Sequence, residues 1–177
     1  SVGVLIGCGD PVVGMQDCSS PIEEADVAID RMLVRGVPDE GNDVSMNVLV
    51  GFEAKARLQD LTSIADVPNG HSTRQRGLRV EFDSAAVARR VLIVGPHHHS
   101  YENNGTAWLF DAEIRGGVLG VQQGLFAFGC LERVKIVDAL SLGMCSDEMS
   151  TGFAKDLEIV RPNADFTQPT LARTSLC

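Results

Sequence analysis

The chain says the same thing twice. "GLRVEFDSAAVARRVL" (77–92) and "DLEIVRPNADFTQPTLAR" (156–173) each read as a short charged and apolar strand followed by a short helix, 79 residues apart in a chain of 177. What precedes them repeats too. In the first half, β-branched "VGVLIG" (2–7) reads as a strand. Ser20 then caps a helix over 20–36, with Pro21 at its first position and Glu23 closing a capping box. Ile22, Ala25, Ile29, Met32 and Leu33 give that helix one apolar face, and Gly36 and Pro38 end it. A strand over 43–53, a helix over 54–66, turn residues over 68–77, a strand over 78–82 and a helix over 83–91 complete the half. The second half reads strand 106–114, break 115–117, helix 118–131, strand 133–142, loop 143–152, strand 156–160 and a final helix within 161–173 that Pro169 keeps short. The expected fold class is α/β (α+β): two tandem β-α-β-β-α repeats, each a small antiparallel or mixed sheet covered by helices. The first spans 1–90, the second 106–177, and a histidine-rich connector, 91–105, joins them. Such a unit buries little alone, so fused copies are expected to pack side by side and stand in for subunits of a ring.

Charge and composition narrow the function. The net charge is −9 with a pI near 4.8, which leaves no electrostatic footprint for nucleic acid or an anionic membrane. Hydrophobic residues make up 44% and charged residues 22%, as in an ordinary globular chain. No apolar run approaches the roughly 20 residues of a membrane helix, and no basic segment followed by an apolar core marks a signal peptide. Cys8, Cys18, Cys130, Cys145 and Cys177 form no C-x-x-C pair and are odd in number, so they read as reduced thiols of a cytoplasmic protein.

Two stretches carry a family resemblance. "GVPDEGNDVSMNVLVGFEAKARLQDLTSIADV" followed by "RGLRVEFDSAAVARRVL" resembles the circularly permuted shell proteins of bacterial microcompartments. "EIRGGVLGVQQGLFAFGCLERVKIV" is similar to their ordinary shell domain, with Glu113, Arg115 and Gly116 at the end of its first strand. The resemblance implies a non-catalytic structural protein. Tandem domains would form a trimeric, pseudohexameric tile that meets other shell subunits edge to edge and passes small metabolites through an axial pore.

"GPHHHSYENNG" (95–105) invites a second reading. His97 and His99 face one way on an extended segment, and Glu102 adds a carboxylate, a set that suits a transition metal. On that reading the chain is a metal-dependent enzyme acting on a small polar substrate. In the tandem reading His97, His98, His99, Ser100 and Tyr101 are instead connector or pore residues, able to titrate near neutral pH. A third reading is a pair of metabolite-sensing regulatory domains. "GCGDPVVG" (7–14) lacks phosphate-loop spacing and reads as a turn. No spacing selects Cys8 or Cys18 with His71 or His97 as a nucleophile and base. Glu23, Asp26 and Asp30 read as a solvated helix face.

Overall fold

The computed structural model describes residues 2–7, 25–36, 45–65, 75–161 and 174–176. It contains thirteen strands and, among the described residues, no helix. They are β1 (Val2–Ile6), β2 (Val27–Arg35), β3 (Ser45–Val50), β4 (Lys55–Ile64), β5 (Gln75–Val80), β6 (Ala85–Val94), β7 (His99–Asn103), β8 (Thr106–Arg115), β9 (Leu119–Gln123), β10 (Phe128–Val137), β11 (Leu142–Ser146), β12 (Thr151–Val160) and β13 (Thr174–Leu176). Consecutive strands never pair. The odd-numbered strands form a seven-stranded sheet, the even-numbered ones a six-stranded sheet, each in chain order. Every pairing is parallel. The chain therefore winds as a coil, crossing from one sheet to the other and advancing one strand per turn: a parallel β-solenoid.

This overturns the expected α/β class with its helix-covered repeats. Segments 27–35, 54–66 and 83–91, each expected to be helical, hold β2, β4 and β6, and 118–131 divides between β9 and β10. The capping residues Ser20 to Glu23 and most of the final helix over 161–173 lie outside the described residues. The boundary after residue 90 falls inside β6, and the stretch 91–105 is the end of β6, a corner, and all of β7.

The physical reason is one residue in the middle of every long strand. Arg31, Asp60, Arg90, Asp111, Arg133 and Asp156 all have φ between 52° and 59°, in the left-handed region. Each slips the alternation by one position. Inward residues then follow a 2-3-2 spacing, as in Ala56, Leu58, Leu61 and Ser63, or Ala107, Leu109, Ala112 and Ile114, all buried. A step of three inside an apolar pattern is what an amphipathic helix also presents. Ile29 and Met32, which looked like one helix face, are two inward positions on either side of the Arg31 kink.

One core fills the coil, drawn from both sheets. Complementary sizes set the fit. A side chain at Gly77, Gly120 or Gly143 would come within 2.6 Å or less of the Cγ2 methyl of Ile93, Ile136 or Ile159 respectively, so each isoleucine fills the space that a glycine leaves. Where the odd sheet carries Asn47, the even sheet carries Ser63. Asn47 Nδ2 donates to Ser63 Oγ at 2.9 Å, and Ser63 Oγ donates to the Gly77 carbonyl at 3.0 Å. A polar pair thus replaces a glycine–isoleucine contact and stays hydrogen-bonded.

Along one edge, four-residue turns 51–54, 81–84, 124–127 and 147–150 link odd strands to even ones, each closed by an i to i+3 backbone hydrogen bond. Between β7 and β8 the link is only Asn104 and Gly105.

Candidate functional site

The histidine-rich stretch is the most compact coil of the solenoid. Its strands sit 21 to 23 residues after their counterparts one rung earlier (Ala86 pairs with Ala107, Arg76 with His99), against 30 residues between Ala56 and Ala86. The compression brings together side chains distant in sequence. Arg76 Nε donates to Glu102 Oε2 at 2.9 Å, and Asn104 Nδ2 donates to Glu102 Oε1 at 3.1 Å. His99 Nδ1 lies 3.1 Å from Glu102 Oε2, and Arg79 Nη1 lies 3.5 Å from Oε1. The parallel register explains the grouping: Arg76 pairs with His99, and Arg79 with Glu102. Burial by itself would raise the Glu102 pKa, but the hydrogen bonds from His99, Arg76 and Asn104, with the Arg79 charge, hold the carboxyl well below the usual range. A carboxylate with four donors is a structural anchor. It has neither the raised pKa of a general acid nor a free lone pair aimed at a substrate.

The expected metal set does not assemble. His99 and Glu102 are joined, while His97 is fully buried at the corner before β7, with neither ring nitrogen hydrogen-bonded among the described residues. Burial pushes its pKa down to about 4, against a small opposing effect of the Gly95 carbonyl. His98 stacks on His99 with ring centroids 4.3 Å apart, and burial, then the charges of His99 and Arg76, lower its pKa. Ser100 and Tyr101 are buried within β7. Among the described residues no three His, Cys, Asp or Glu side chains are placed to hold a metal ion. Asp26 and Asp30 lie at and just beyond the start of β2, not on a helix; the Asp26 carboxylate accepts the Lys55 backbone N–H. Glu23, His71, Cys8 and Cys18 lie outside the described residues.

Three features escaped the sequence reading. The first is the turn edge, where the four-residue turns expose Phe52, Phe82, Leu125 with Phe126, and Met149 on successive rungs, and where the short link Asn104–Gly105 breaks the row. A cleft of about 100 Å³ opens at that interruption, lined by residues that include Phe82, Asp83, Asn104, Gly105, Thr106 and Phe126. From β3 onward, four residues separate each odd strand from the next even one, except here. The second is a buried cluster on the outer face of the even sheet, Val87, Trp108, Phe110 and Cys130, with Phe128 against Trp108 and Arg89 over the Phe110 ring at 4.1 Å. The third is redox state. Cys130 and Cys145 are disulfide-bonded, which corrects the expectation of five reduced thiols.

Comparison with protein-family models, with characterised proteins and with solved structures finds no match. No helix among the described residues is long and apolar enough to cross a membrane.

Proposed function

We propose that the chain is a structural β-solenoid that works by assembly, without catalysis, and that its partner is a second copy of itself. The observation that carries this reading is the last rung. Among the described residues β12 pairs with β10 alone, and most of its ten residues are exposed, Phe153 at 68%. A long, open strand edge is a template for further pairing. Beside it lies a cavity of about 180 Å³ lined by Gln123, Leu131, Met144, Gly152 and Phe153 among others. The odd sheet meanwhile runs one strand further, to β13. This end is therefore a step. Two copies facing each other across a two-fold axis interlock there, each β13 taking the place missing beside its partner's β12, and the interface is self-complementary.

The tile and pore of a microcompartment shell required helix-covered repeats, and that part of the earlier expectation has no support in the solenoid. The metal-enzyme reading finds no ligand set among the described residues. The regulatory-pair reading lacks two separable units, because both sheets run through the whole described chain. The disulfides favour an oxidising compartment over the cytosol.

Light scattering after size exclusion tests the proposal. The wild-type chain is expected to elute with twice its 19.0 kDa mass. Thr151→Lys with Phe153→Lys, which charges two exposed, outward positions of β12 and leaves the inward Gly152 and Ala154 in place, is expected to give a monomer with an unchanged far-UV circular dichroism spectrum. A wild-type monomer at all concentrations, or a dimer indifferent to the two lysines, would overturn it.

A further inference from the structure

The geometry points to a second function for the turn edge: the cleft over Asn104–Gly105 is a binding site for one all-equatorial, β-gluco-configured pyranose ring of a saccharide. The proposal stands apart from the assembly reading, since the cleft is built from β5 to β10 and not from the last rung.

The walls are aromatic. Phe82 belongs to the turn before β6 and Phe126 to the turn before β10, two rungs apart, and both line the cleft. At the ordinary strand spacing, two rungs are about 9.5 Å. Phe82 is the second residue of its turn and Phe126 the third of its own, so the two side chains flank the gap, with room between their rungs for one saturated ring. The side chains are 54% and 57% exposed, so neither is packed in the core.

The floor is short by construction. With only two residues between β7 and β8, the edge recedes where its neighbours project. A side chain at Gly105 would meet the Glu81 and Ser84 carbonyls at 2.3 and 2.4 Å, so nothing larger than glycine fits there. The floor is also rigid. Asn103 Oδ1 accepts the Gly105 N–H at 3.1 Å, while Asn103 Nδ2 donates to Gln123 Oε1 and to the Phe128 carbonyl. Backbone bonds from Asn104 to Val80, from Thr106 to Ser84 and from Phe128 to Gly105 fix the turn to the rungs on either side. Asn104 is held further by its bond to Glu102, which links the floor to the ion cluster. A cleft organised before the ligand arrives loses little entropy on binding.

The lining selects the ligand class. Asp83 offers a carboxylate and Thr106 a hydroxyl beside the two rings. A ligand that suits this set has two apolar faces and a polar rim. An all-equatorial pyranose is such an object: its axial C–H bonds point to both faces, and its hydroxyls lie around the edge. An axial hydroxyl, as in a galactoside, puts a polar group against one phenyl wall, where it finds no partner.

Saturation-transfer NMR with cellotetraose, methyl β-D-glucopyranoside and methyl β-D-galactopyranoside tests the assignment on the intact chain. Transfer to the axial C–H groups of both faces of the glucoside is expected, with weaker transfer to the galactoside. Phe82→Ala and Phe126→Ala are each expected to weaken cellotetraose binding about tenfold. Phe52→Ala, two rungs from Asn104 on the same edge, is expected to leave it unchanged. Both cleft residues are exposed, and a thermal melt of each variant verifies folding. No cellotetraose binding, binding that survives both cleft substitutions, or equal transfer to glucoside and galactoside would overturn the assignment.

Discussion

His97 is a polar ring sealed in the wall of an apolar coil, and its energetics follow from that. Its ring nitrogens make no well-formed hydrogen bond among the described residues, and the Gly95 backbone does not offset burial, so the neutral form is the one that folds. The folded pKa of about 4 lies below the ordinary 6.5. As pH falls through 6.5 the unfolded chain takes a proton and the folded chain does not. Stability is therefore whole above that value and declines toward pH 4, by about 3 kcal/mol in all. Glu102 has the same sign by another route. Its carboxyl is held low by its donors, so its contribution is present above the usual glutamate range and is lost at lower pH. The two windows separate the groups. His97→Leu is expected to match or exceed wild-type stability at pH 7, because it removes two unsatisfied nitrogens. It is also expected to flatten the slope between pH 6.5 and 4 while leaving the steeper loss at lower pH. Urea unfolding followed by the fluorescence of Trp108, the one tryptophan and fully buried, measures both. Equal slopes in wild type and variant would contradict the account of His97.

The element of this fold is the kinked rung. Its kink residues alternate in charge from end to end: Arg31, Asp60, Arg90, Asp111, Arg133, Asp156. Stacked at one strand spacing, like charges would repel; instead Arg90 Nη2 donates to Asp60 Oδ2 at 2.9 Å and Arg133 Nη2 to Asp111 Oδ2 at 3.0 Å. Ion pairs this exposed contribute little. The backbone matters more, since the left-handed region tolerates Asp and Asn and disfavours a β-branched residue. Asp111→Asn is accordingly expected to leave the melting temperature close to wild type, while Asp111→Val costs about 1–2 kcal/mol of backbone strain. Equal effects of the two would show that the charge, not the kink, sets the rung. The kink also explains what the sequence conceals. "IDRM", "LQDL", "ARRV", "LFDA", "LERV" and "AKDL" are six copies of one motif, apolar or small, any, Arg or Asp, apolar. Their spacing varies from 21 to 30 residues, so no fixed period reveals them, and the step of three mimics a helix. Of the strands without a kink, β1, β3 and β5 fall within two or three residues of their expected places, while β7, β9 and β11 were expected as connector, helix and loop; β8, whose β-branched and aromatic residues outweigh its kink, also falls where expected. Of the site, the stretch that holds His99 and Glu102 was legible as a cluster of titratable residues. Arg76 and Arg79 were not, because the parallel register that brings them to Glu102 is a property of the coil.

At the scale of the molecule, the coil converts a sequence with little local signal into a long ordered surface. Each rung supplies one inward apolar set, one kink charge and one turn, and parallel stacking turns each into a row. The rows explain why a chain of net charge −9 needs no basic patch: its arginines are spent one by one on neighbouring carboxylates. They also explain where recognition is expected, at the one gap in the turn row and at the unpaired last rung. All of this depends on the parallel register. Nuclear Overhauser contacts between backbone protons in solution test it most directly. The account predicts that Leu109 contacts Ala88 on one side and Leu131 on the other, residues 21 and 22 positions away. Contacts between residues three and four apart across 54–66 or 118–131, with none between Leu109 and Leu131, would mean helices in place of rungs and would contradict it.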